Sequence, residues 1–212
     1  MVGVAFTPEE HRRIAQAIRT AEATTRGEIY CVFARRSDRY GFVSACVVLA
    51  LALAAGWLAV LVAALAGLPV TALEVVAGQT LAGALLYAIA AASPSLRMML
   101  VPRAVRAHRA GQLALVQFLS HGIHETSERT GVLIFVSAEE HHAEIVADEG
   151  IDAKVPQEDW NAIVEALVEA ARGGRFVEGY EDAIARAGAL LSRHFPGGSD
   201  NPNELPDRLV EL

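Results

Sequence analysis

Lysine is almost absent from this chain: lysine and arginine together number 18, and only Lys154 is a lysine. Cysteine is limited to two residues, Cys31 and Cys46, and aromatic residues make up 6% of the 212 residues. Two cysteines so placed do not form a disulfide framework, and no Cys/His spacing of a zinc site occurs. A basic excess is lacking too, since the formal net charge is −7. That balance argues against a nucleic-acid-binding face, which needs clustered positive charge. No Gly-x-Ser-x-Gly elbow, phosphate-cradling loop or dinucleotide fingerprint is present. The first forty residues are charged and amphipathic, so no secretory leader is expected there.

What the chain has in excess is apolar sequence. Hydrophobic residues reach 53%, high for a soluble domain. The excess is concentrated between Gly41 and Ala92, mostly as Ala, Leu and Val. Phe42 to Leu65 carries no charge and is long enough to cross a hydrocarbon core, which takes about twenty apolar residues. Gly67, Leu68 and Pro69 then break the helix. Val70 to Ala92 follows, with Glu74 about one turn from the loop, where interfacial placement is tolerable, and Gln79 deeper in. Gly56, Gly78 and Gly83, with many alanines, offer a close-packing helix surface. Tyr87 suits an aromatic belt near the far end. The spacing predicts a two-helix transmembrane hairpin. A soluble domain of this size could not cover two such apolar helices.

Charge is distributed unevenly. Arg35, Arg36 and Arg39 precede the first span, while Arg97, Arg103, Arg106 and Arg109 follow the second. The connecting loop has no positive charge. The positive-inside rule therefore predicts a multi-pass protein with both termini in the cytoplasm. Arginine in place of lysine points to a GC-rich bacterial source, hence to the bacterial inner membrane. The segment from Gly131 onward holds six basic residues against seventeen acids.

The flanks alternate helix and strand. Thr7, Pro8 and Glu10 form a helix-opening capping box, and Ile14, Ala17, Ile18 and Ala21 give it an apolar stripe. Glu28 to Ala34 reads as a strand. A long helix is expected from after Pro102 to about Ser127, followed by a buried strand at Val132–Val136. Ala143 to Asp148 reads as a shorter strand hairpinned to it. Helices at about Gln157–Arg172 and Glu178–His194 finish the domain, and residues 196–212 are expected to form a loose tail. This alternation predicts an α/β layered domain. It is discontinuous, built from residues 1–41 and 97–195 around an insert at 42–92. The first strand cannot stand alone, and its expected partner is Val132–Val136.

Two stretches carry a family resemblance. One is Ala21 to Ile29, a helix exit running into the first strand. The other is Glu128 to Ser137, continued by Ala143 to Ile151. With the helices around Trp160 and from Gly179 to Leu191, they resemble the TPM-domain family. That family is named for a thylakoid-lumen phosphatase, a photosystem II repair protein and a modulator of acetylcholine receptors. The resemblance implies a three-layer α/β sandwich with a small mixed sheet flanked by helices. It also implies either weak acid phosphatase activity or an assembly role in membrane complexes.

Candidate chemistry is confined to a few polar groups. His121, Glu125 and Glu128, near His124, share a helix face and could hold a divalent metal. Asp148 and Asp152 bracket Gly150 on an acidic loop that continues with Glu158 and Asp159; clustered carboxylates there are candidate oxygen ligands for Ca²⁺ or Mg²⁺. His141 and His142 are expected on an exposed turn. Ser137 follows a strand with no local sequence that activates it. The weight falls on a non-catalytic interaction or assembly factor in contact with the lipid bilayer and with a membrane protein or a second copy. The alternative is a divalent-metal-dependent phosphatase. A channel or transporter would need a polar pathway that two helices with one interfacial acid lack.

Overall fold

The computed structural model describes residues 5–198 and 202–212. Contacts divide the chain into two compact units, one running to Ser37 and resuming at Ala107, the other spanning Asp38–Arg106.

The first unit is built on a sheet. Helix α1 (Pro8–Glu22) opens with the expected capping box: Glu10 N donates to Thr7 Oγ1 at 3.3 Å, and Thr7 N donates to Glu10 Oε2 at 2.7 Å. Strand β1 (Glu28–Ala34) follows and is buried along its whole length. β2 (Gly131–Ser137) pairs with it in parallel, Cys31 opposite Ile134 and Ala34 opposite Ser137. A parallel pair requires a crossover, and here the entire second unit and the helix after it serve as that crossover. β3 (His142–Ala147) returns antiparallel to β2.

The two faces of the sheet are covered differently. Ile29, Cys31, Phe33, Ile134 and Val136 meet Ile14 and Ile18 of α1, Leu167 of α7 (Gln157–Arg172) and Tyr180 and Ile184 of α8 (Phe176–His194). The alternate residues Tyr30, Val32, Leu133 and Phe135 face Ala110, Ala114 and Phe118 of α5 (Arg103–Ser120). Both faces are covered, which is why these strands read as continuous apolar runs. The result is a three-layer α/β sandwich with a mixed sheet.

Two expectations are corrected. The helix after Pro102 ends at Ser120 rather than near Ser127, because Gly122 adopts a left-handed conformation (φ 66°) and a short 3-10 turn, Ile123–Glu125, replaces the continuing helix. A left-handed glycine is a common helix stop. The tail is not loose where it is described. Leu209–Glu211 forms a strand, β4, parallel to β1, giving the order β3-β2-β1-β4. Leu212 N donates to Phe33 O at 2.9 Å, and Arg35 N donates to Leu212 O at 3.2 Å. Residues 199–201 of the expected tail lie outside the described residues.

The second unit is helical. α2 (Gly41–Leu65) and α3 (Ala72–Ala92) have 25 and 21 residues. At 1.5 Å per residue each exceeds the ~30 Å hydrocarbon thickness. Their mean hydropathies are 2.7 and 1.7 over spans that are 17% and 6% buried, so both are long and apolar enough to cross a membrane. Gly67 turns the chain between them with φ 67°. Glu74 is not idle at its end: with Thr71 it forms the capping box of α3, accepting from Thr71 N at 2.8 Å. Gln79 reaches across the hairpin and donates to Ala52 O and Leu53 O of α2, each at 3.3 Å. Gly56, on the facing turn, has no side chain to block that amide. A short helix α4 (Pro94–Leu100) leads on to α5.

Candidate functional site

The turn after β3 gathers the most chemistry. Asp148 caps the one-turn helix α6 (Glu149–Asp152), accepting from Glu149 N at 2.8 Å, and its side chain is 4% exposed. Its other oxygen lies 3.3 Å from Arg129 Nε and has no hydrogen bond of good geometry. Arg129 stands in the loop before β2 with φ 57° and donates from Nη1 to His124 O at 2.7 Å. Gly150 explains how the two segments come so close. A Cβ there would lie 2.6 Å from Arg129 O and 2.8 Å from Glu128 O. Asp152, at the end of α6, is exposed.

The second predicted cluster is spread out. His121 has both ring nitrogens engaged, Nδ1 3.2 Å from Tyr30 OH and Nε2 3.1 Å from Gln117 Oε1. This arrangement fits a neutral ring that donates from Nε2 and accepts at Nδ1. Burial, with Arg208 nearby, lowers its pKa below the usual histidine value. Glu125 is exposed on the 3-10 turn, 3.9 Å from His124 Nε2. Glu128 pairs with Arg26 at 2.6 Å. Among the described residues, no three His, Cys, Asp or Glu side chains converge as a group able to hold a metal ion.

Two constellations escaped the sequence. At the carboxyl ends of β1 and β2, Glu140 accepts from Ser37 N at 3.0 Å and from Ser137 Oγ at 2.5 Å, while the two serine hydroxyls lie 2.8 Å apart. Ser137 is wholly buried, so its hydroxyl is closed to a substrate and the triangle ties the strand ends together. His142 begins β3 opposite Ser137 rather than sitting on the turn, and bonds Glu144 at 3.1 Å. His141 alone remains on the exposed turn. The residues Ser137 to Glu140 at the end of β2 were the only signal, and they have no spacing that announces a site.

The other constellation is acidic and buried. Glu22, at the end of α1, and Glu28, at the start of β1, are 8% and 2% exposed. Glu22 accepts from Ile29 N at 2.7 Å, and Glu28 accepts from Leu205 N at 3.1 Å. Asp207 approaches from the C-terminal segment, 3.9 Å from Arg19. Burial, reinforced by Glu28 and Asp207, pushes the Glu22 carboxyl up to about 9. Burial also raises Glu28. Perturbed carboxyls can mark functional sites, but here Glu22 ties the end of α1 to β1 and Glu28 fastens the returning C-terminal segment to the start of β1. Glu204 adds to the same fastening by accepting from Ser127 N and Oγ at 2.9 and 2.7 Å.

Comparisons with known proteins agree with this architecture. The NMR structure of BA42 protein from the psychrophilic bacteria Bizionia argentinensis sp. nov. is similar in fold, with a TM-score of 0.62 and 21% identity, covering 100% of this chain and 99% of that one. No curated protein matches. A family model described as the TPM domain matches residues 79–190. That match takes in the end of the hairpin, α5, the β2–β3 hairpin with the Arg129–Asp148 turn, and most of the helical layer, and since it spans more than half of the chain, this protein belongs to the TPM domain family.

Proposed function

We propose that this is a TPM-domain protein anchored in the bacterial inner membrane by α2 and α3, whose α/β unit acts as a non-catalytic interaction or assembly module at the cytoplasmic surface. The observation that carries the reading is the exposure of the hairpin. Helices with mean hydropathies of 2.7 and 1.7 that are 17% and 6% buried leave large apolar surfaces for lipid or for another membrane helix. Seven arginines flank the pair and none lies in its loop, which supports cytoplasmic termini. Thiol labelling tests this. In cells, a membrane-impermeant maleimide should label Leu68→Cys from outside and Glu165→Cys only after permeabilisation, both in a Cys46→Ala background. The reverse pattern would overturn the orientation.

The partner surface proposed is the outer face of α7. Glu158, Asp159, Glu165 and Glu169 are all exposed there, and clustered charge of one sign steers a complementary partner more than it adds raw affinity. A basic membrane-associated protein fits. The wild type, extracted in mild detergent, should retain one defined partner that is lost when these four acids become lysine. Recovery of both forms alone would remove the reading.

One observation favours a second reading, a metal-dependent phosphatase. The Asp148 oxygen beside Arg129 is buried and lacks a well-directed donor. A divalent ion there would have to displace the Arg129 guanidinium. If the same purified protein hydrolysed an aryl phosphate with Mg²⁺ or Ca²⁺, and Asp148→Asn abolished that turnover, this reading would replace the first.

A further inference from the structure

α5 covers the sheet with Ala110, Ala114 and Phe118, yet its outward side is not the polar face such a helix usually presents. Leu115, Val116 and Leu119 are 51%, 55% and 51% exposed. His108 and Gln112 lie on the same side at helical spacing, and Arg109 borders it, with Nη1 3.4 Å from Gln112 Oε1. The outer stripe therefore mixes three aliphatic side chains with imidazole, guanidinium and amide groups.

Three features of the chain identify what this stripe fits. First, the exposed aliphatic surface is small. A stable protein–protein interface buries roughly 800 Å² per partner, and three half-exposed side chains fall well short of that. Second, cationic and apolar groups on one helix side are the combination that settles shallowly at a lipid headgroup boundary. Third, α5 belongs to the chain segment that leaves the hairpin. Only residues 93–102 separate it from α3, and seven of these are coiled into α4. The segment is arginine-rich, with Arg97, Arg103, Arg106 and Arg109. Basic groups just beyond a membrane span are attracted to anionic lipid over a Debye length.

We infer that the outer side of α5, through Leu115, Val116 and Leu119 with His108 and Arg109, is a docking surface for an anionic lipid bilayer. This rests on the membrane reading above and adds to it. One face of the α/β unit rests on the membrane. That leaves the acidic α7 layer, on the opposite side of the sheet, for a partner.

The test uses the full chain in lipid nanodiscs. An environment-sensitive fluorophore is attached at Leu119→Cys or, as a control, at Glu165→Cys of α7, both in a Cys46→Ala background. Cys31 is wholly buried and stays unreactive. In discs containing phosphatidylglycerol, the label at 119 should be quenched by aqueous iodide severalfold less than in detergent, and its emission should shift to the blue. The label at 165 should be quenched equally in both. Shielding at 119 should weaken in all-zwitterionic discs.

Equal quenching at 119 in anionic discs and in detergent would overturn the inference. So would shielding that is undiminished in zwitterionic discs, or shielding that persists in detergent and rises with protein concentration, which would make the occupant a second copy. Failure of the chain to co-elute with the discs at all would overturn the membrane reading itself. A chain that co-elutes while position 119 stays wet would overturn only the docking surface.

Discussion

Replacing Glu22 by glutamine should flatten the dependence of stability on pH and raise the melting temperature on the alkaline side. The Glu22 carboxyl holds its proton to about pH 9 when folded, whereas its ordinary value is 4.5. Between those two values the folded chain binds a proton that the unfolded chain has released. Stability therefore falls as pH rises, by at most about 1.4 kcal/mol per pH unit from this group. The contribution is fully present below pH 4.5 and gone above pH 9. Burial is the main cause, and the neighbouring Glu28 and Asp207 make ionisation still less favourable. Glutamine imitates the protonated form. Its amide oxygen can accept from Ile29 N as Glu22 does at 2.7 Å, and its amide NH₂ can face Asp207. The wild type in non-ionic detergent should lose melting temperature steadily from pH 5 to pH 9. The Glu22→Gln variant should lose much less, with the residual slope coming from Glu28, which burial also raises. Parallel curves for the two proteins would show that the proton is not held at Glu22.

Gly131→Ala should be the most damaging Gly→Ala change among the described residues. Gly131 opens β2 and lies against the 3-10 turn. A Cβ there would strike the Ile123 carbonyl oxygen and come within 2.7 Å of its Cγ2. The obstacle is backbone, held by the left-handed Gly122 before it and by the fully buried Ile123 side chain. It cannot swing aside like a side-chain tip. Forcing atoms into so tight a place costs on the order of 3 kcal/mol. For a chain of this size that is a fall of roughly 6–12 °C in melting temperature. Gly78→Ala, where a Cβ would meet nothing within 4 Å, is the control and should be silent or slightly stabilising. A Gly131→Ala protein that melts with the wild type would mean that the 3-10 turn yields.

Local sequence announced the elements whose cause is local. Thr7, Pro8 and Glu10 specify the start of α1 because their capping bonds form within three residues. The strands β1 and β2 are visible because burial on both faces demands unbroken apolar runs. The helix that fails beyond Ser120 shows the opposite case. The polar run His-Gly-Ile-His-Glu continues a helical pattern on paper, and the left-handed conformation of Gly122 is settled by where Ile123 must pack. The candidate site divides the same way. Asp148, Asp152, His121, Glu125 and Glu128 could be picked out as chemically able groups. Three of their partners, Arg129, Tyr30 and Arg26, come from other loops and strands, and no sequence spacing links them; only Gln117, four residues before His121, is local.

Taken alone, the amino-acid sequence determined the apolar hairpin, the alternation of helix and buried strand and the charge asymmetry, because each follows from composition and periodicity along a few turns of chain. Tertiary structure decided that Leu209–Glu211 joins β1 as a fourth strand and that Glu22 and Glu28 are buried in one corner with Asp207 beside Glu22. It also decided that α5 turns three aliphatic side chains outward. These outcomes depend on groups as far as about 180 residues apart meeting in space, as Leu205 N does with Glu28. Burial and proton affinity are set by that meeting and not by the identity of either residue alone.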